Sequence, residues 1–580
     1  MHPCELTRKF QFIVRKPLLI FGNRKAVALA LSGLGIKTLL FQYVMNQPYL
    51  ARGLPPTEAG NHWRLEMPAR VISGGVIGID PYMVNVEADY SGGLPNISVV
   101  GLPDSAIRES RDRVRFALKN CGFSLPPRRY TINLAPADTK KEGAAYDLPI
   151  ALGLVAALGG IPKEPLEKWL IAGELSLNGV VNPIRGVLPL ALLAKSMGLT
   201  GIITPKKNAR EAAVVEGIEV RSAGELGNVV AFMRGGLELP KVTVSRDAIF
   251  SSAHDYELDL LHIKGQHHAK RALEIAAAGG HNLLMIGPPG AGKTMLAKAL
   301  PSILPPLAME EAFEVSKIYS VAGLLNGHSL ITTRPFCAPH HTISDAGLIG
   351  GGQIPRPGQV SLAHHGVLFL DELPEFDRSV LEVLRQPLED GKVTIARSQI
   401  SITYPASFML VAAMNSCPCG NLGDPKKACN CTHSKIRAYR ARISGPLLDR
   451  IDMQIEVPPV PFFELSSKSN GESSKDVRER VIRGRGIQRE HFSKLGIADR
   501  VFCNAQMPPK VVEEICELDS STQSLLARAT DQLGLSARAY TRIRKVARTI
   551  ADLGGSEKIL ARHVCEALQY RSLDRGFEGN

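Results

Sequence analysis

A chain of 580 residues is too long for one ordinary hydrophobic core, and its 44% hydrophobic fraction is that of a globular protein, so three or four folded domains are expected. No run of eighteen apolar residues is free of charge, so neither a membrane-spanning helix nor a membrane partner is expected, in keeping with a cytoplasmic chain. The formal net charge of +13 favours a polyanionic partner only weakly, because residues 1–66 hold nine Lys/Arg against three Asp/Glu and so carry nearly half of the excess.

Residues 1–66 form an atypical basic tail whose first 57 positions contain one acid, Glu5. Translated upstream sequence ahead of a start at Met67 is the preferred reading. A targeting peptide fits the lack of acids but not the lack of serines, and a membrane-associated segment around Ala26–Met45 is interrupted by Lys37. Residues 67–240 alternate short apolar runs with turn signals at 75–79, 97–103 and 130–134, and carry helical patterns near 105–120 and 148–158, which predicts an α/β sandwich. Arg108, Arg111, Arg113 and Arg115 on the first of these helices are candidate DNA contacts, against the plain reading of a solvated face. A linker of mixed charge follows at 241–262.

The run Gly287-Pro288-Pro289-Gly290-Ala291-Gly292-Lys293-Thr294 matches the phosphate-binding pattern G-x-x-x-x-G-K-[ST] at every fixed position. An apolar strand precedes it at 282–286 and a helix pattern follows from Met295, the flanks that the motif requires. Glycines let backbone N–H groups close on phosphate oxygens, Lys293 is placed to reach the β- and γ-phosphates, and Thr294 to ligate Mg²⁺. ATP and Mg²⁺ are therefore the expected cofactors. The strand 366–370 ends in Asp371, assigned to the Mg²⁺ shell, and Glu372, assigned to polarise the attacking water. A third buried strand, 408–414, ends in Asn415, a candidate γ-phosphate sensor or simply a turn former.

Two segments offer DNA contacts: a Gly/Pro-rich stretch at 347–358 and an alternating hairpin at 391–403, in which Lys392 and Arg397 would meet phosphates. Neither interleaves aromatic residues, so sequence-independent, salt-sensitive binding is expected. Cys417, Cys419, Cys429 and Cys431 form two C-x-C pairs, either a tetrahedral Zn²⁺ site or free thiols, with His433 as a substitute ligand. The histidines at 340, 341, 364 and 365 show no H-E-x-x-H spacing and are read as structural. Arg450 stands among apolar residues, as either a surface partner of an acid or an arginine finger. Residues 464–476 read as a connector and 477–580 as a helical region. There Ser536 caps a helix whose basic residues Arg542, Arg544, Lys545 and Arg548 are expected to be mostly solvated, and Arg538 to fold back onto the nucleotide.

These motifs resemble the magnesium-chelatase branch of the AAA+ ATPases, above all the segments Pro339–Gly352 and Ile443–Asp452, and from Met67 onward the chain is similar to the YifB/ComM family of bacterial proteins. The resemblance implies an α/β fold with a Lon-protease-like (S5 domain 2-like) N-terminal domain, an AAA+ P-loop core at 263–463 and a C-terminal helical lid. It also implies a homo-oligomeric ring, expected to be a hexamer, acting on branched or single-stranded DNA as a branch-migration helicase in recombination or natural transformation. From it come the finger role of Arg450, the second sensor role of Arg538, and an adenine frame at Gly265, Gln266 and Arg271. In Lon-type proteases a serine would stand at Ala145 and a lysine near Leu188. A Ser–Lys dyad needs a hydroxyl and an amine, so no peptidase activity is expected. A chelatase motor or a protein-remodelling ATPase is the rival reading.

Overall fold

The computed structural model describes residues 68–571, apart from 252–255, 257, 353–354, 398–400, 425–426, 462, 465–470 and 499. The reading of the tail, and that of residues 465–470 of the connector, therefore lie outside the described residues.

Valine and alanine at every second position start the N-terminal part. Strands β1 (Ala69–Ile77) and β2 (Asp80–Ser91) pair antiparallel, and β2 buries Val84, Val86 and Ala88 on one face. With β3 (Asn96–Val100) and β4 (Arg129–Ala135) they form a sheet of order β1-β2-β4-β3. Helix α1 (Ser105–Asn120) starts where the Asp104 carboxylate accepts from Ile107 N, and it turns Ile107, Val114, Ala117 and Leu118 inward. Helix α2 (Asp147–Ala157) is buried almost all round, as its apolar sequence requires, and packs on β1, β2 and α1. Helix α3 (Val187–Ser196) follows β5 (Trp169–Ile171) and leads to β6 (Gly201–Pro205) and β7 (Glu219–Ala223), a small parallel sheet of order β5-β6-β7. The sequence reading missed β2 and this second sheet.

The next part opens with α4 (His267–Gly279), β8 (Leu283–Ile286) and α5 (Lys293–Ala299). Helix α6 (Met309–Ala322), β9 (Phe336–Cys337), β10 (Val367–Leu370), the hairpin β11 (Lys392–Ala396) and β12 (Ser401–Pro405), β13 (Met409–Met414) and β14 (Met453–Glu456) follow. Five strands make an all-parallel sheet of order β9-β10-β13-β8-β14. Every residue of β8, β10 and β13 is buried, which explains their unbroken apolar runs. The carboxyl ends of these three strands lie side by side and deliver the P-loop, Asp371 and Asn415 to one edge.

Among the described residues five α-helices follow: α7 (Ser474–Lys494), α8 (Pro509–Ile515), α9 (Ser520–Leu533), α10 (Ala537–Leu553) and α11 (Ala561–Gln569). Helices α7 and α10 pack on α4, so Val477, Val481, Ile543, Val546 and Ile550 share one apolar core with Leu273 and Ile275. Among the described residues no helix is long and apolar enough to cross a membrane.

Candidate active site

The P-loop leaves β8 at Gly287, where backbone approaches backbone. A Cβ there would stand 2.1 Å from Val457 O, so no larger residue fits. Lys293 begins α5, is almost fully buried, and donates to Gly287 O (2.7 Å), Pro288 O (3.0 Å) and Asn415 Oδ1 (3.2 Å). Burial pulls its ammonium below the usual lysine range, against the opposing charges of Asp371 and Glu372. Thr294 Oγ1 donates to Asp371 Oδ2 at 2.7 Å, and Glu372 N donates to Asp371 Oδ1 at 2.9 Å. Two neighbouring Mg²⁺ ligands at about 2.1 Å from the ion lie about 3 Å apart, so this oxygen pair fits the cation with little movement. Glu372 takes a left-handed conformation (φ 54°) and stays exposed beside His341, whose Nδ1 is 3.7 Å from Glu372 Oε2. His341 was read as structural, and only its spatial neighbour marks it otherwise.

Gln266 reaches this edge as well, donating to Ala291 O (3.2 Å) and Pro458 O (2.6 Å). Arg271 does not. It is engaged by Glu274 and Glu566, at 2.9 Å each, and ties α4 to α11.

Arg450 is only 4% exposed. Its Nε donates to Arg385 O (3.1 Å), one Nη to Pro446 O (2.6 Å), and the other pairs with Glu389. Arg538, 59% exposed, stands 3.8 Å from the same Glu389 oxygen. Arg538, expected to fold back on its own P-loop, stands here beside Arg450, while Lys293 bonds Asn415 and Thr294 bonds Asp371. Nothing in the sequence spacing points to Glu389 as the shared partner.

Beyond Arg538, the basic residues of α10 are not solvated. Ser536 does cap the helix, accepting from Ala539 N, but Arg542 bonds Asp452 (3.0 Å), Lys545 donates to Ala505 O, Arg544 bonds Cys516 O and Glu513, and Arg548 bonds Asp552. Helix α10 is packed on more than one side, and each buried cation found an oxygen. The same correction holds for Arg113, which clasps buried Asp147 through two nitrogens (2.9 and 3.2 Å). Ala145 O accepts from Gly173 N, and Leu188 is buried with its N–H on Glu211.

The four sulfurs of Cys417, Cys419, Cys429 and Cys431 lie within 4.8 Å of one another, whereas His433 is exposed at the start of the following helix. A second group, Glu314, His364 and His365, has similar spacing but different chemistry. Ser407 N donates to His364 Nδ1 (3.0 Å), so the ring's proton sits on Nε2 and is given to Glu314 (3.1 Å). That nitrogen has no lone pair for a metal.

The two insertions meet. Tyr404 Oη donates to Pro355 O (2.8 Å), the Ile395 side chain packs at Gly350, and Val393, Ile395, Ile402 and Tyr404 turn inward. Lys392, Arg397 and Arg356 remain exposed, and the tip residues 398–400 lie outside the description.

Family profiles match three stretches: residues 86–208 to "Subunit ChlI of Mg-chelatase", 259–465 to "Magnesium chelatase, subunit ChlI", and 471–571 to "Magnesium chelatase, subunit ChlI C-terminal". The competence protein ComM of Haemophilus influenzae is 44% identical over 510 residues, 87% of this chain and 98% of its own length. YifB of Escherichia coli is 43% identical over 503 residues, 86% of this chain and 96% of its own. A Lon protease of Salinispora arenicola is 24% identical over 209 residues, 34% of this chain and 27% of its own. With its Lon-like α/β N-terminal part, parallel P-loop sheet and helical C-terminal region, the chain belongs to the YifB/ComM family of magnesium-chelatase-like AAA+ ATPases.

Proposed function

We propose that the chain is one subunit of a ring, a hexamer in the simplest case, that couples ATP hydrolysis to movement of branched or single-stranded DNA. The P-loop from Gly287 to Thr294 holds the phosphates, with Lys293 leaving its two loop carbonyls for the β- and γ-oxygens. Mg²⁺ on Thr294 and Asp371 would neutralise charge on the bridging oxygens. Glu372 orients water, and Asn415, already bonded to Lys293, senses the γ-phosphate. Arg450 serves the nucleotide of the neighbouring subunit, and Arg538, 3.8 Å from the Glu389 oxygen that pairs with Arg450, acts across the same interface. The four sulfurs hold Zn²⁺.

The observation that carries the DNA reading is the juxtaposition of the two insertions, which leaves Lys392, Arg397 and Arg356 exposed on adjoining loops over a buried apolar base. The name of the Haemophilus relative, a competence protein, agrees with it. The test is ATP-dependent dissociation of a labelled four-way junction by the full chain. Activity lost in Lys293→Ala supports a DNA motor. ATP hydrolysis without junction binding favours a chelatase-type or protein-remodelling role.

A further inference from the structure

We propose that zinc on Cys417, Cys419, Cys429 and Cys431 braces the P-loop through the contact of Gly420 with Pro289, so that nucleotide affinity depends on zinc occupancy. This rests on the zinc reading above and extends it to the ATP site.

The sulfur geometry comes first. Cys417 Sγ lies 3.3 Å from Cys419 Sγ and 3.6 Å from Cys429 Sγ, and the latter two are 3.7 Å apart. A tetrahedral Zn²⁺ with bonds of about 2.3 Å separates its sulfurs by about 3.8 Å, whereas a disulfide brings them to about 2.05 Å. Backbone N–H groups point at the sulfurs, Leu422 N at Cys417 (3.4 Å) and those of Asn421 and Asn430 at Cys419, as donors do around metal-bound thiolates.

Burial does little to hold the loop. Among its described residues from Ser416 to Lys435, only Cys417 and Gly420 are buried, so it has no apolar core of its own and needs a cross-link to keep one shape. Its position gives that shape a consequence. Cys417 stands two residues after Asn415, the partner of Lys293. Gly420 lies so close to the P-loop that a Cβ would meet Pro289 Cδ at 2.6 Å and Cγ at 2.7 Å. The thiolate loop is therefore the wall against which Pro289 rests, and a loop that loses its cross-link withdraws that wall and loosens Asn415 together.

The experiment uses the purified full chain. Zinc is counted by mass spectrometry of the metal. Affinity for a fluorescent ATP analogue is titrated in excess Mg²⁺ before zinc removal by a zinc-selective chelator, after it, and after ZnCl₂ is restored. One zinc per chain is expected, with affinity falling about tenfold on removal and recovering on addition, and with ATP tightening zinc affinity by the same factor because coupling is reciprocal. Gly420→Ala, which keeps all four sulfurs, should retain zinc yet bind nucleotide more weakly. Zinc present but affinity unchanged within twofold overturns the brace and leaves the zinc reading standing. A chain that neither carries nor takes up zinc overturns the zinc reading itself. Loss of helical circular dichroism on chelation would show a general scaffold and also overturns the brace.

Discussion

Asp452→Asn tests whether the segment that carries Arg450 is the joint between sheet and lid. Asp452 is 8% exposed, and its two oxygens accept from Asn282 N (2.9 Å), at the start of the P-loop strand, and from Arg542 (3.0 Å) on α10. Burial alone would raise its carboxyl, but Arg542 and then His281 outweigh it and hold the group well below the usual carboxylate range. An asparagine has one acceptor oxygen for these two donors. It satisfies either Asn282 N–H or Arg542, and leaves the other facing its own NH₂. Removing one partner of a buried pair costs about 3–5 kcal/mol, and an isostere that keeps one bond sits near the lower end, about 3 kcal/mol. For the sheet and lid together, about 300 residues at about 2.1 cal/mol/K each, that corresponds to a melting shift of about 5 °C. Arg542→Gln alone should cost a similar amount. The double variant should be less destabilised than the sum, because no buried charge is left unpaired. Thermal unfolding of the four proteins by circular dichroism checks this. Strict additivity, or a shift of Asp452→Asn below about 1 °C, would refute the claim that this carboxylate joins the two parts.

Glu389→Gln removes the carboxylate from Arg450 while its bonds to Arg385 O and Pro446 O remain. The pair is half-exposed on the glutamate side and contributes at most about 1 kcal/mol, so ATP turnover of the assembled ring should rise by up to about fivefold; a fall would show that Glu389 positions the arginine instead of restraining it. Lys392→Ala and Arg397→Ala should each lower the slope of log affinity against log salt by about 0.7 on single-stranded DNA, read by fluorescence anisotropy. An unchanged slope takes that residue out of the interface. Acidification should weaken the fold between pH 6.5 and 4. Burial pulls His364 down from 6.5 to about 4, against the hydrogen bond that its Nε2 donates to Glu314, so in that window the unfolded chain binds the extra proton. The contribution is complete above pH 6.5, is lost as pH falls, and amounts to at most about 3 kcal/mol. His364→Gln should flatten it in urea titrations run across that range, and an undiminished slope would assign the pH dependence elsewhere.

What the sequence disclosed follows a physical division. The P-loop, Asp371 and Asn415 are set by local pattern, since a buried parallel strand must be continuously apolar and its functional residue sits at its end. The capped start of α10 was readable for the same reason. Strand β2 left a readable trace in Val84, Val86 and Ala88, diluted by the polar residues between them. The arginines were misjudged because a charge run on a helix shows its period but not its surroundings. Whether Arg544 meets water or Cys516 O depends on α8, some thirty positions upstream. Glu389, Arg450 and Arg538 come together from three distant segments, and no spacing rule reaches across them.

The N-terminal part touches the ATPase core at two places that matter to the proposed motor. Leu188 and Ala191 on α3 share an apolar cluster with Ala312 and Val315 on α6, and the Ser320 hydroxyl bonds Glu211. The same α6 carries Glu314, whose carboxylate takes both His364 and His365 (2.7 Å to the latter) immediately before the strand that ends in Asp371 and Glu372. At the other place, the turn between β1 and β2 packs on the hairpin. A Cβ at Gly78 would stand 2.6 Å from Ile402, and Ile79 joins the cluster under β11 and β12. One contact leads toward the carboxylates that face the nucleotide, the other toward the loop that would face DNA. A close-packed interface has few intermediate arrangements, so a hairpin that moves during the cycle must either carry the β1–β2 turn with it or break the packing of Ile402. In the proposed motor the N-terminal part would then take part in the stroke, which gives a domain lacking the serine and lysine of its protease-like fold a physical reason to be joined to the ATPase at these two contacts.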